Sequence, residues 1–440
     1  MKGKISKLYT SRVVEIFLIL FPIIEVVTSI LKRNTDLFIS PGIVYKALFT
    51  IYALVYLVIL STKNKKHICI LLLAVLAFCI IHVCVIGINT ITISNLAKLL
   101  TFLISALFIY FYIKDGNKID VKAIVYCTLI YCVLVKLAEL TGTNLATYRG
   151  DLSLGTKGWF YSGNELSAIL SITLPITIMY ASSNISFIGI TTLLLQIHTL
   201  LSIGTKTSLI STALIEVAIF ILAIIWSIRE KSKTNYILVC ILIISIIFTV
   251  CIMPNTASYK FFAIRIEENT VPIAPSEDNV DDFEEITEPD SITDITSFIL
   301  NGRQDFLKAQ KALYSNTNIL EKLFGVKYEN RLGYANGGQI KTIEIDIYDI
   351  IINYGMIGAM LFYFPILLCM FSYIFDMEKK YKKDIHNNIF ILAALIVALS
   401  ISCIAGHVLT SSTIEIFVAY IIGELFLKKQ EASEIRLNER

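Results

Sequence analysis

The chain has 440 residues, of which 56% are hydrophobic and only 17% charged, with a mean hydropathy of +0.72. That composition excludes a soluble globular protein, which at this length needs more polar surface. The net charge of +3 carries little by itself and calls for no nucleic-acid partner.

The charges fall in short clusters between apolar runs of about 18–21 residues, the length that spans ~30 Å of hydrocarbon at ~1.5 Å per residue. The pattern predicts an all-α polytopic membrane protein; a β-barrel would alternate in ten-residue segments instead. The basic leader 1–12 is followed by a run at 13–31 with no small-residue cleavage site, hence a retained first helix. Further runs cover 41–61, 68–88, 96–113 and 120–140, and after the polar segment 141–164 come 165–181, 185–203, 208–228 and 236–253. A long loop, 254–342, precedes a tenth helix from about 343 to 375, whose far end reads as a separate amphipathic turn. Helices at 389–404 and 411–427 and a short tail, 428–440, complete the chain. The organisation is thus about twelve transmembrane helices, nine in 1–253 and three in 343–427, with one long loop between the ninth and tenth.

Twelve helices put both termini on one side. Links on that side hold 21 Lys and Arg, against 5 in the short links opposite, so the termini are expected in the cytoplasm and the long loop outside. No internal repeat is found. All nine cysteines lie in or beside apolar runs, where they read as small buried hydrophobes; no disulfide framework or metal site is implied.

The long loop has two halves. From Ile266 to Gly302 it holds eleven Asp and Glu and no Lys or Arg, the composition of a solvated acidic linker. From Arg303 to Glu321 apolar residues and lysines recur at helical spacing, which predicts one amphipathic helix on the outer surface.

Four spots on the outer side carry unusual residues. The segment around Arg149, Lys157 and Asn164 contains Trp159, Phe160 and Tyr161, suited to the membrane interface, with Asn164 as a candidate cap for the next helix. Lys206 sits in a tight hairpin, where a snorkelling lysine is the plain alternative. Arg303 follows the acidic linker. Glu344, Asp346 and Asp349 open the tenth helix, where the helix dipole favours acids in a solvated first turn. His407 lies at another outer turn; His82 and His198 lie inside helices and read as bundle-facing polar contacts. Mid-helix charges are few: Glu15, Glu25, Lys46, Lys136, Glu216 and Glu415. A transporter or flippase, the alternative from another class, would place its charged groups near the midplane.

The motifs TKGWFYSGNELSAIL, GTKTS, NGRQDF and IEIDIYDIIINYGMIG occur in this order around the long loop. Together they resemble the O-antigen ligase and O-antigen polymerase superfamily, over roughly residues 140–375, with the hydropathy profile extending the likeness to the whole chain. The resemblance implies a multi-pass glycosyltransferase of a bacterial cytoplasmic membrane. Its substrate would be a polyprenyl-diphosphate-linked oligosaccharide, polymerised on the outer face beside a flippase and a chain-length regulator. It implies no cofactor. The family's basic positions fall on Lys206 and Arg303. Ligases place a histidine near the start of the helix after the loop; this chain has Glu344 and Asp346 there, which favours a polymerase over a ligase.

The chemistry suits those residues. Arg303 can grip a diphosphate leaving group with bidentate, charge-assisted bonds, while Lys206, Arg149 or Lys157 add point charge without a metal. Glu344 or Asp346, partly desolvated, can take the acceptor's proton.

The sidedness is directly testable. In intact cells, with any outer membrane permeabilised, Val280→Cys should react with an impermeant thiol reagent and Lys382→Cys should not. The reverse pattern would overturn the orientation.

Overall fold

The computed structural model is all-α; among the described residues the only β pairing is an isolated antiparallel bridge between Ala146 and Thr156. It describes the chain except residues 1–8, 36–38, 62–64, 148–153, 261–262, 264–302, 332–342, 381–384, 405–407 and 439–440, and except the side chains of 184, 304, 372–380, 385–387 and 426–438. Arg149, His407 and the whole of the acidic linker therefore lie outside the described residues.

Each of the twelve apolar runs is a helix. In chain order they are α1 (Ser11–Asn34), α2 (Pro41–Leu60, its last turn a π-helix), α3 (Lys65–Ile86), α4 (Thr90–Lys114), α5 (Lys122–Leu140) and α6 (Gly163–Asn184). Then come α7 (Phe187–Ile203), α8 (Lys206–Glu230) and α9 (Lys233–Ile252). The long loop contributes α10 (Arg303–Ser315) and α11 (Ile319–Phe324), and the chain ends with α12 (Asp346–Lys380), α13 (Ile385–Ile404) and α14 (Ser412–Asn438). Among the described residues, nine of these helices are long and apolar enough to cross a membrane, α7 and α13 being shorter. The protein is a polytopic membrane protein.

Burial follows from the solvent on each side. Helix α6 is the axis of the bundle, with 94% of its apolar window buried. It packs against α7, α13 and α8, and α14 lies along α4. Its buried face is rich in small hydroxyl residues, as helix contacts within lipid require: Ser167 bonds Thr205 at 2.9 Å and Ser171 bonds Ser211 at 2.6 Å. On α2, α3, α8 and α9 large apolar side chains such as Ile51, Leu73, Val217 and Ile247 are exposed at helical spacing, the face that hydrocarbon covers.

Two features of the loop end depart from the sequence reading. The amphipathic helix expected over 303–321 is two helices, because the Asn318 side chain accepts the Glu321 N–H at 2.9 Å and starts α11 afresh. The tenth membrane helix is not broken at its far end but near its beginning, at Gly355, whose φ of 70° and ψ of −179° belong to glycine alone. The break makes room for α11: a Cβ at 355 would collide with the backbone of Leu323. The carbonyls opened there are reused. Ile352 O accepts from Val326 N at 2.9 Å, and the buried Arg331 donates to Val326 O at 2.9 Å and to Asn353 Oδ1 at 2.6 Å. His82, on α3, bonds Phe324 O at 2.6 Å, so a membrane helix is pinned to the surface helix. Burial among these groups, partly offset by nearby Tyr328, Tyr354 and Asp349, pulls the Arg331 pKa below its ordinary value.

Gly355→Ala should cost about 1–3 kcal/mol through strain and collision, seen as a lower thermal midpoint in detergent. An unchanged midpoint would mean that α11 does not sit on this kink.

Candidate functional site

The loop end of the bundle gathers the acids that the sequence placed together, but gives each a different role. Asp349 is 5% exposed, and its two oxygens accept the N–H groups of Ile343 at 3.0 Å and Glu344 at 2.9 Å. It thereby folds the preceding chain back over the first turn of α12. The fold-back puts Glu344 in the left-handed region at φ 62°, unusual for a residue with a Cβ. The Glu344 side chain meets Arg303 at the head of α10. Arg303 Nη2 and Nε donate to the same carboxylate oxygen, at 3.1 and 3.3 Å. Its third donor, Nη1, reaches the carbonyl of Ile404 at the end of α13, at 2.8 Å.

Asp346 is fully buried. It accepts the N–H groups of Val408 at 2.9 Å and Leu409 at 2.7 Å and the Thr410 hydroxyl at 2.9 Å, which fixes the turn entering α14. The solvated first turn expected from the sequence is therefore wrong for Asp346 and Asp349. Both are enclosed, and backbone donors replace water around them. Of the three acids Glu344 alone is substantially accessible, with 38% of its side chain exposed.

From this mouth a polar seam descends between helices. Ser411 donates to Glu165 at the start of α6, at 2.8 Å. Thr413 accepts from Lys46 at 2.8 Å, and Lys46 pairs with Glu25 at 3.0 Å. One turn deeper, Glu415 is buried with neither carboxylate oxygen hydrogen-bonded among the described residues; Lys98 and Lys46 are the cations that act on it. The sequence showed Glu25, Lys46 and Glu415 as scattered mid-helix charges, and only the packing of α1, α2 and α14 brings them together. No sequence signal singled out Lys98, Glu165 or Arg331.

The basic candidates on the other flank of α6 have their own neighbours. Lys206 is the first residue of α8, half-buried behind Thr205, which caps that helix by accepting Ser208 N at 3.1 Å and also bonds Ser167 of α6. Lys157 is half-buried and donates its N–H to Leu145 O at 2.9 Å. Asn164 is exposed in the first turn of α6 but does not cap it. The cap is Ser162, in extended conformation, whose side chain accepts the Glu165 N–H at 3.3 Å. Phe160 is turned into the protein. It is buried against Tyr131, and its carbonyl accepts from Arg33 at 2.8 Å. Tyr161 is exposed, with Lys32 over its ring.

Chemically, the mouth offers one arginine whose carboxylate partner is reachable and two carboxylates committed to shape. Among the described residues no group of three or more His, Cys, Asp or Glu is disposed to hold a metal ion.

The sequence model of the family described as O-antigen ligase like membrane protein matches residues 7–431. No curated protein matches the chain.

The two kinds of acid should separate on mutation. Asp346→Ala removes charge-assisted bonds worth ~1.5–3 kcal/mol each and should lower the thermal midpoint clearly. Glu344→Ala breaks a partly exposed pair worth ~0–1 kcal/mol and should barely move it. Equal shifts would contradict the division of roles.

Proposed function

Starting from a chain that belongs to the O-antigen ligase-like membrane protein family, we propose that it is a glycosyltransferase polymerising polyprenyl-diphosphate-linked oligosaccharide repeat units. The reaction occurs on the outer face of a bacterial cytoplasmic membrane. The observation that carries this reading is the Arg303–Glu344 pair at the mouth of the bundle, a cation and a carboxylate holding each other in reserve.

The donor's diphosphate competes with Glu344 for Arg303. A diphosphate carries more charge than one carboxylate and accepts the planar guanidinium fork through two oxygens. When it takes Arg303, Glu344 is released as a base beside the acceptor. The acceptor oxygen then bonds to the anomeric carbon from the side opposite the diphosphate. The anomeric carbon–oxygen bond breaks, its electron pair leaves with the diphosphate, and the acceptor's proton passes to Glu344. One displacement inverts the anomeric configuration. Arg303 and the flanking Lys206 and Lys157 stabilise the charge growing on the leaving group, so a metal is dispensable. Asp346 is the weaker candidate for the base, because its oxygens are engaged by three donors and it has no exposed surface. Glu344 and Asp346 at the positions where ligases carry a histidine favour polymerisation over transfer to a different acceptor.

The test is purified protein with lipid-linked repeat unit and excess chelator. Wild type should extend the glycan. Glu344→Gln should lose ~10²–10⁴ in rate, the usual cost of a missing general base. Arg303→Ala should be inactive, and Arg303→Lys should recover little, since a point charge does not reproduce the fork. Full activity of Glu344→Gln would remove it as the base, and dependence on an added divalent metal would refute the metal-free route. In cells lacking the protein, single repeats left on the carrier indicate a polymerase; long chains left on the carrier indicate a ligase.

A further inference from the structure

A second recess lies where the ends of α5, α7 and α9 meet. The loop before α6 and the turn between α7 and α8 cross backbone to backbone at two glycines. Gly155, at φ 79°, has no room for a Cβ, which would strike the Ile203 carbonyl, and a Cβ at Gly204 would stand 3.0 Å from the Gly155 Cα. Thr156 N donates to Ser202 O at 3.0 Å and locks the crossing. Between this crossing and the short 3-10 turn Met253–Asn255 after α9 is a cavity of about 400 Å³, within the range of small-molecule sites.

Its wall mixes apolar surface with polar groups that are internally neutralised. Glu139 pairs with Lys136 at 2.8 Å; Lys136 also donates to Ser202 at 3.1 Å, and Ser202 bonds His198 at 3.2 Å. Glu139, His198, Ser202, Asn255 and Thr256 all face the cavity. This set supplies donors and acceptors of both senses around a space whose one lining acid is already matched by a lysine. A phosphate finds no surplus positive charge there, whereas the hydroxyls of a sugar, each a donor and an acceptor, find partners. His198, read from the sequence as a bundle contact, lines this cavity instead.

We propose that the cavity is a glycan subsite, holding uncharged sugar rings of the repeat unit; this rests on the glycosyltransferase reading above. The rings come from the acceptor or from the donor's glycan, and the chemistry of recognition is the same for both.

The probe is the repeat oligosaccharide released from its lipid by mild acid. Lacking the diphosphate, it can serve only as acceptor. First, Cys251 lines the cavity and is exposed, so its alkylation in the detergent-solubilised wild type, followed by mass spectrometry, should slow several-fold when the oligosaccharide is added. The double variant His198→Ala/Asn255→Ala should lose that protection. Second, in turnover with lipid-linked donor, the same variant should raise a KM tenfold or more with kcat within about threefold. A raised KM for the soluble acceptor assigns the rings to the acceptor; a raised KM for the lipid-linked donor alone assigns them to the donor. No protection of Cys251 in the wild type by either the soluble oligosaccharide or the lipid-linked donor, or both KM values unchanged in the variant, overturns the subsite. Protection of Cys251 without any turnover by wild type leaves the subsite standing and refutes the transferase reading instead.

Discussion

Backbone N–H groups gathered by buried carboxylates hold the loop end of this protein in shape. Asp349 takes two of them from residues 343 and 344, and Asp346 takes two from residues 408 and 409. Near hydrocarbon an unpaired polar group costs several kcal/mol, and an unpaired charge more. Removing either acid would strand donors with no water to turn to. Glu344 stands toward Arg303 because Asp349 folds the chain beneath it. The start of α14 stands beside α6 and α2 because Asp346 fixes the turn before it. The Glu165 and Lys46 contacts follow from that placement.

The sequence made the fold legible because lipid imposes a coarse rule. A span must be helical and apolar over a set length; all twelve runs are helical, and among the described residues nine meet the length. What the periodicity could not give was the position of breaks. The Gly355 kink and the Asn318 cap are made by local dihedral and side-chain choices inside segments whose hydropathy continues unchanged. The site was legible by residue type but not by role. Arg303 and the three acids could be picked out as polar residues in the wrong solvent. Nothing in the linear spacing distinguished Glu344, turned outward, from Asp346 and Asp349, turned into the fold. The dipole argument treated all three as alike, and burial separates them. Glu25, Lys46 and Glu415 were visible only one at a time, because their meeting depends on the packing of three distant helices.

The seam under the mouth bears on how charge is handled inside the bundle. The Glu25–Lys46 pair is mostly enclosed and shares Thr413 as a third partner, so each charge is offset close by. Glu415 has no such partner among the described residues and is enclosed with neither carboxylate oxygen hydrogen-bonded. The polar groups form a connected descent from the loop end, through Ser411 and Thr413 to Lys46 and Glu25.

The way Asp346 is satisfied bears on how the protein can vary over time. Two of its three donors are main-chain N–H groups, which every amino acid except proline supplies. Positions 408 and 409 donate to Asp346 whatever side chain they carry, but Val408 and Leu409 are themselves buried in the apolar core, so packing and not this contact sets their identity. The same two residues thus answer to two separate demands, the main chain to the carboxylate of Asp346 and the side chain to the core, and a change that satisfies one can still fail the other.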